Sequence, residues 1–446
     1  MGAPKWPPKR SQRPGTAGAL LYRLGTILAT IRGVWLLLLM VLIMPFEKSP
    51  YLYISQSFAG IISDFTVIKL LGMAGFVWAI LHIVIRKNVE PIFGSAQAKL
   101  FALLIAGVLV SAALNGSALW AVGKYVAFIM FLPFVLVTVR TEEDLRRVLH
   151  TMVLAMTLIF PYALRQIGRY QGRLGVGLYE PNYLAANLVL IIPIAFAIAS
   201  CQPTRQKRLL WAGAGLVLVV SLFMTSSRGG FLGLLVAGMV FAYRRFGVKG
   251  ALGVLALLLL AVLPTDLGER ALATLDRNAE APAGLEASNK AHTALFWGGL
   301  RMMMDSPVFG VGPYRFSDYS RAYSGLDISY IAHNTYLELG AEAGLLVLLL
   351  YVLLVATAVA TLGRVAKLGG RPETRSLAAW AEGLRTGLIG FSVSAGFISA
   401  QYEKYFWLAI FLSIAIARLA LRATVPVAAR APQPVALSPA PRLAPN

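Results

Sequence analysis

Arg228 is the residue of this sequence whose setting best suits chemistry on an anion. It lies in Ser-Arg-Gly-Gly, residues 227–230, between two apolar segments, and the glycines would let a ligand approach the backbone. A guanidinium presents a planar fork of N–H donors that matches phosphate and diphosphate oxygens. An arginine that anchors a helix end at a membrane surface is the structural alternative. The pattern therefore predicts either a phosphate-binding group or an anchored helix end.

A second set of arginines lies in a glycine-rich loop. The loop runs from Gly168 to Asn182 and contains Arg169, Arg173 and two tyrosines. Arginines on a flexible backbone suit an anionic headgroup, and tyrosines offer surface to sugar rings. An ordinary polar loop can have the same composition. We predict Arg169 and Arg173 as substrate-binding residues.

Arg301 ends a third segment, residues 286–304, which has a helical pattern. One stripe of this helix would carry Ala291, Leu295, Gly298 and Met302. Asp305 follows Arg301 by four residues, so an ion pair is the structural alternative to a phosphate contact. The Gly-x-Gly at 310–312 has no Lys-Ser or Lys-Thr after it, which excludes a P-loop.

His333 begins a polar run, His-Asn-Thr-Tyr-Leu-Glu, at the end of an apolar segment. The ordinary pKa of histidine suits a general base that takes a proton from a hydroxyl. Asn334, Glu338 and Glu342 recur every four residues and share one helix face, which we expect to line a polar cavity. We predict His333 as the base and Asn334 and Glu338 as substrate-binding residues, whereas His292 is expected to face solvent.

The elements that must position these residues are membrane helices. The chain has 446 residues, of which 58% are hydrophobic and 14% charged, against about 45–50% and about 25% in soluble proteins. A spanning helix needs about 20 mostly apolar residues. We therefore predict an all-α polytopic membrane protein with about twelve transmembrane helices. The predicted spans are 28–46, 65–85, 98–114, 119–139, 148–167, 183–200, 209–226, 230–244, 250–264, 335–362, 383–400 and 405–421.

The net charge of +21, from 41 Lys and Arg against 20 Asp and Glu, indicates how the chain is oriented in the membrane. In a soluble protein such an excess would suggest nucleic acid. In a polytopic membrane protein, cytoplasmic loops collect Lys and Arg. With both ends inside, every short inside loop of the predicted topology is basic, so we expect no nucleic-acid partner. The single cysteine, Cys201, excludes an intramolecular disulfide and a cysteine-rich metal site.

The predicted spans divide the chain into five parts. A basic cytoplasmic segment covers residues 1–27, and the first nine spans cover 28–264. A long extracytoplasmic loop with short helices covers 265–332, because a structureless loop of that size would be unusual. The last three spans cover 333–422, and a Pro- and Ala-rich cytoplasmic tail, 423–446, is expected to be disordered.

Together these motifs resemble the O-antigen ligase and O-antigen polymerase superfamily of bacterial envelope glycosyltransferases. The resemblance rests on order and spacing: Ser-Arg-Gly-Gly at Arg228, Arg301 followed after ten residues by Gly312, His333-Asn334 followed after nine residues by Gly344, and Glu-Pro-Asn-Tyr-Leu-Ala at 180–185. Val347 stands where ligases tend to carry a small or hydroxylated residue, and the loop before His333 is short for a ligase. Ligase and polymerase therefore both stay open.

The resemblance implies a GT-C-like fold in the bacterial inner membrane and an inverting, metal-independent transfer without a cofactor on its periplasmic face. The implied donor is a glycan on undecaprenyl diphosphate. The implied acceptor is lipid A core for a ligase, a lipid-linked glycan for a polymerase, or a protein for an O-glycan transferase. Membrane lipids and a chain-length regulator are further expected partners. The departing diphosphate needs fixed cations, and His333, Arg228 and Arg301 are the predicted catalytic residues.

Two other classes of function are considered. A transporter or flippase for a lipid-linked sugar would favour charges near the bilayer midplane and broken helices in repeated halves. The midspan cations are few, Lys69 and Lys124, and no repeated halves are visible. A structural scaffold would leave the outside arginines without a purpose. The sequence therefore favours a glycosyltransferase.

Overall fold

The computed structural model describes a mostly helical chain, in agreement with the predicted fold class. The described residues are 33–47, 50–58, 62–86, 90–117, 119–170, 172–176, 180–263, 268 and 285–424. The predicted segment 1–27, residues 265–267 and 269–284 of the predicted loop, and the predicted tail from 425 onward lie outside them.

The helices of the described residues, numbered in chain order, set the frame for the rest. They are α1 (Val34–Ile43), α2 (Val67–Arg86), α3 (Ala96–Leu114), α4 (Leu119–Thr138), α5 (Glu142–Leu164), α6 (Pro181–Ser200), α7 (Arg205–Met224), α8 (Arg228–Val262), α9 (Leu285–Asp305), α10 (Phe316–Ser324), α11 (Thr335–Ala343), α12 (Leu345–Ala366), α13 (Arg375–Ser394) and α14 (Lys404–Thr424).

Nine of the described helices are long and apolar enough to cross a membrane, namely α2 to α8, α12 and α14. Helix α1 with the turn that follows it is a shorter apolar helix, Val34–Phe46. Helix α13 is not among the nine, yet it packs at the centre of the bundle against α6, α8, α12 and α14. The protein is a multi-pass membrane protein.

Helix α8 is broken at Gly247, between two of the predicted spans. Gly247 has φ 69° and ψ −158°, values that lie outside the helical region. A Cβ on Gly238 would lie 3.0 Å from the Val254 side chain, although 16 residues of straight helix would separate the two by about 24 Å. The two halves therefore fold back on each other as a helical hairpin.

The predicted single span 335–362 is wrong, because the chain breaks at Gly344 into α11 and α12. Gly344 has φ 89° and ψ 166°, a conformation that is open essentially to glycine alone. A Cβ there would lie 2.1 Å from the carbonyl oxygen of Val308. A glycine inside an apolar run gives no sign of such a break, since isolated glycines also occur within membrane helices.

The segment between α9 and α10 supplies partners for the backbone that the break exposes. The amides of Val311 and Gly312 donate to the carbonyl oxygens of Ala341 and Glu342, at 2.9 and 2.8 Å. The amide of Leu345, which begins α12, donates to Pro307 at 2.8 Å. The break is thereby locked to the Gly-Val-Gly turn.

Helices α9, α10 and α11 form an outer layer with its own small core. Its buried side chains are Leu295, Met302, Phe316, Ala332, Leu337 and Ala341. The predicted helix 286–304 is confirmed as α9, and Leu295, Gly298 and Met302 of the predicted stripe are buried. This layer is what carries His333 and Arg301.

The structure also contains a two-stranded antiparallel sheet that the all-α prediction missed. Strands β1 (Tyr53–Phe58) and β2 (Ile62–Thr66) pair with Tyr53 opposite Thr66. The hairpin connects α1 to α2 at the end of the bundle that carries the outer layer. Such short polar strands lack the apolar alternation that marks a strand in a sequence.

The loops predicted to be cytoplasmic gather at the opposite end of the bundle. Arg422 contacts Glu90 at 2.5 Å and the carbonyl of Arg140 at 2.9 Å. Arg244 pairs with Glu382 at 3.5 Å. These contacts join three of the segments that the positive-inside pattern placed on one side, and they join two more of those segments to each other. The alternation of the predicted spans therefore agrees with the packing among the described residues.

The first testable prediction concerns Gly344. Gly344→Ala should destabilise the protein by about 1–3 kcal/mol from backbone strain alone, with the clash at Val308 in addition. Gly213→Ala in α7, where a Cβ has open space, is the matched control and should be neutral or slightly stabilising. Thermal unfolding of both variants in one detergent is the measurement. Equal melting temperatures would contradict the assigned break.

Candidate functional site

A cavity of about 1100 Å³ lies between the outer layer and the bundle. Its wall combines tyrosines, cations and carboxylates drawn from distant parts of the chain. The tyrosines are Tyr51, Tyr53, Tyr162, Tyr183, Tyr314 and Tyr402; the cations are Lys69, Lys124, Arg165, Arg169 and Lys404; the carboxylates are Glu47, Glu338, Glu342 and Glu403. Such a wall can hold a large polar ligand with ring surfaces.

Glu338 and Glu342 lie on the cavity wall, as their spacing on α11 predicted. The Glu338 carboxylate accepts hydrogen bonds from the Ala332 amide at 3.0 Å, from Gln401 at 2.6 Å and from the Ser399 hydroxyl. Burial raises the pKa of Glu338, and these donors oppose that rise. Glu338 therefore fixes the backbone immediately before His333.

His333 occupies a strained position at the entrance to α11. Its φ is 50°, in the left-handed region that a histidine seldom adopts. The side chain of the next residue, Asn334, accepts from the amides of Tyr336 and Leu337 at 3.0 and 3.1 Å and so caps the helix. The structure thus gives Asn334 a positioning task, beside its predicted role in substrate binding.

His333 and Arg228, two of the three predicted catalytic residues, lie close to His292, which the sequence analysis did not assign to the site. The rings of His292 and His333 lie with their centroids 5.3 Å apart. Partial desolvation of its ring lowers the pKa of His292, and the nearby His333 and Arg228 lower it further. Although His292 is exposed as predicted, it contacts His333. Its place on α9, three residues before the buried Leu295, is the signal that could have shown this.

The glycines beside Arg228 serve packing within the protein. A Cβ on Gly229 would lie 2.7 Å from Phe397, and one on Gly230 would lie 2.6 Å from Ala185 of α6. These two glycines therefore contact other residues of the protein and leave no open space for a ligand beside them. Ser227 caps α8 by accepting from the Gly230 amide at 3.2 Å, which places Arg228 in the first turn of that helix.

Arg301 lies apart from this group. Its guanidinium donates to the carbonyl of Tyr323 at 3.1 Å, in the last turn of α10. Asp305 accepts from the Tyr323 hydroxyl at 2.8 Å, so Tyr323 bridges the two residues of the expected ion pair. Arg301 follows His292 by nine residues, which on a helix means about 14 Å along the axis and the opposite face. The structure does not bring Arg301 beside His333.

The two loop arginines have different surroundings. Arg169 lines the cavity together with Arg165, and both are exposed. Neither forms an ion pair within the part of the chain that the structure describes. Arg173 donates to the Thr225 carbonyl at 2.9 Å and to the Asn182 side chain at 3.0 Å. It therefore fastens the loop to the turn before α8, while Arg169 faces the cavity.

The sequence analysis named Lys124 as a midspan cation but did not assign Lys124 or Lys404 to the site. Lys124 lies over the Tyr314 ring at 4.0 Å and near the Tyr402 ring at 5.1 Å. Lys404 of α14 pairs with Glu47 at the end of α1. A charged residue within an apolar span is the signal that could have found Lys124, since lipid excludes such groups. Their convergence depends on helix packing.

Comparison with known proteins adds a family to this geometry. Residues 213–352 match the O-antigen ligase family. No curated protein matches the chain. The matched segment runs from α7 through Arg228, Arg301 and His333 into α12. The match supports the resemblance that the sequence motifs predicted, on this central segment, to the O-antigen ligase and O-antigen polymerase superfamily.

Proposed function

We propose that this protein transfers a glycan from undecaprenyl diphosphate to a sugar hydroxyl on lipid A core or a similar acceptor. The reaction is an inverting, metal-independent displacement on the periplasmic face of the bacterial inner membrane. The observation that supports this most is the approach of His333, His292 and Arg228 to one another, with Ile331 and Glu338, on either side of His333 in the chain, lining the tyrosine-rich cavity. A histidine base and a fixed cation are what the reaction requires.

The proposed step is a single displacement. The acceptor hydroxyl attacks the anomeric carbon of the donor sugar on the face opposite the diphosphate. The bond between that carbon and the diphosphate oxygen breaks, and its electron pair leaves with the lipid diphosphate. The hydroxyl proton passes to a ring nitrogen of His333, and Arg228 compensates the charge that develops on the diphosphate.

The cavity suits the remaining parts of the donor. Arg165 and Arg169 are exposed on its wall and can meet diphosphate oxygens as charge-assisted donors. The tyrosines offer faces on which sugar rings pack. Arg173 supports the loop that carries Arg169. Arg301, in this proposal, contacts the diphosphate only when the donor displaces the Tyr323 carbonyl.

The proposed topology has twelve crossings with both ends cytoplasmic. The break at Gly247 makes α8 two crossings, and α1 and α13 add one each to the other eight long apolar helices. We propose the five divisions predicted from the sequence, with 265–332 on the periplasmic side.

A transporter of a lipid-linked sugar is the second candidate, because the helix break at Gly344 and the charges in the cavity are features that transporters share. The two candidates differ in their product. A transferase consumes the donor and releases lipid diphosphate, whereas a transporter returns the donor unchanged. A polymerase uses the same chemistry as the ligase with a lipid-linked acceptor, so supplying each acceptor in turn separates them.

The second prediction tests His333. His333→Ala should lower glycan transfer by purified protein at least about 100-fold, because general-base catalysis contributes about 10²–10⁴. His150→Ala near the opposite end of the bundle is the matched control and should keep full activity. Wild-type protein in EDTA should also keep it. Full activity of His333→Ala would contradict the base assignment, and loss in EDTA would contradict the metal-independent step.

The third prediction separates two roles of arginine. Arg228→Ala and Arg301→Ala should each abolish transfer while the protein still inserts, because a fixed cation at the diphosphate contributes several kcal/mol, about 10²–10³ in rate. Melting temperatures measured beside the rates decide how Arg301 acts. An active Arg301→Ala with a lowered melting temperature would mean that this guanidinium only anchors α10 through Tyr323.

The fourth prediction concerns the cavity arginines. Arg165→Glu with Arg169→Glu should raise the KM for the lipid-linked donor by about 10-fold or more, because one charge-assisted hydrogen bond contributes about that factor. Arg205→Glu at the start of α7, at the opposite end of the bundle, is the control. An unchanged donor KM in the double variant would remove these residues from the donor site.

A further inference from the structure

One wall of the cavity carries a carboxyl group that the transfer mechanism leaves unused. Glu342 is 2% exposed and lines the cavity. One of its oxygens, Oε1, accepts from the Phe316 amide at 3.1 Å. The other, Oε2, is buried and has no hydrogen-bond partner within the described residues. Buried polar atoms are nearly always paired, so an unpaired oxygen at a cavity wall indicates a place for a ligand.

Aromatic rings and an ammonium group lie next to this carboxyl. The Lys124 ammonium lies 4.0 Å from the Tyr314 ring centroid and 5.1 Å from that of Tyr402. It is close enough to Glu342 to oppose the rise of that carboxyl's pKa, which burial and then Glu338 raise. The two tyrosine rings lie 5.0 Å apart. Tyr314 has φ 65°, a strained conformation that persists where surrounding structure enforces it.

The chemistry of this corner fits a neutral, polyhydroxylated ring. The Glu342 carboxyl group lies beside the Lys124 ammonium, so this corner suits a phosphate less well than a wall of arginines does. A carboxyl group and an ammonium group exchange hydrogen bonds with hydroxyls. The aromatic faces cover the C–H face of a pyranose. Arg165 and Arg169, which form no ion pair among the described residues, lie elsewhere on the wall, where an anion would bind.

We propose that Glu342, Lys124, Tyr314 and Tyr402 form a pyranose-binding subsite for one sugar of the glycan. The Oε2 atom exchanges a hydrogen bond with a sugar hydroxyl, and Tyr314 packs against the ring. The proposal rests on the proposed function and names the group that this part of the cavity recognises. The sugar can belong to the donor glycan or to the acceptor, which share this chemistry.

The variant that isolates the contact is Glu342→Gln. Glutamine keeps the shape and an oxygen for the Phe316 amide, and it places an NH₂ group where Oε2 was. It removes a buried charge, so folding should be retained. Glu382→Gln at the opposite end of the bundle is the matched control. Tyr314→Leu, with Tyr314→Phe as its conservative partner, tests the ring independently.

The experiment measures equilibrium binding of a defined probe to full-length protein in lipid nanodiscs. The probe is the oligosaccharide that mild acid releases from the native lipid-linked glycan. Binding to Glu342→Gln and to Tyr314→Leu should weaken about 10-fold or more, the loss expected for one hydrogen bond to a charged group or one stacked ring. Glu382→Gln and Tyr314→Phe should bind like the wild type.

Kinetics then identify the source of the sugar. A raised KM for the donor alone assigns the subsite to the donor glycan, and a raised KM for the acceptor alone assigns it to the acceptor. No probe binding by the wild type, or unchanged binding by both Glu342→Gln and Tyr314→Leu, would overturn the subsite. Probe binding that these variants weaken, in a protein that transfers no glycan, would support the subsite and refute the proposed transfer.

Discussion

The outer layer depends on one constraint, the satisfaction of backbone groups that the break at Gly344 exposes. Polar backbone groups cannot stay unpaired away from water, and lipid supplies no partners. The Gly-Val-Gly turn supplies amides, and the Ser111 hydroxyl of α3 contacts the carbonyl oxygens of Phe309 and Glu342, at 2.5 and 3.1 Å. These bonds join the outer layer to the bundle. They fix the C-terminal end of α11, so that Glu338 and Glu342 line the cavity.

The position of His333 follows from this arrangement. With the C-terminal end of α11 locked, its N-terminal end is held by the Asn334 cap and by Glu338, which accepts from the Ala332 amide. His333 lies between these two contacts in a left-handed conformation. Its ring therefore meets His292 of α9, while Arg228 approaches from the start of α8. Backbone bonds position the candidate base more than contacts of the imidazole do.

Most of the membrane helices were predictable, because a spanning helix is recognised in a sequence by its length and its apolar composition. The reversal at Gly247, the helix 285–305 and the carboxylate face of α11 all followed from local periodicity and charge. The break at Gly344, the packing roles of Gly229 and Gly230, and the other residues that line the cavity did not. They depend on contacts between residues far apart in the chain, such as Lys404 with Glu47, which spacing along one helix does not encode.

In the proposed reaction, the protein breaks the bond between a glycan and its lipid diphosphate. The most direct measurement is mass spectrometry of the lipid released when purified wild-type protein receives native lipid-linked glycan and an acceptor. We expect undecaprenyl diphosphate in an amount equal to that of the lengthened or transferred glycan. Recovery of the intact donor, whatever its side of the membrane, would contradict it.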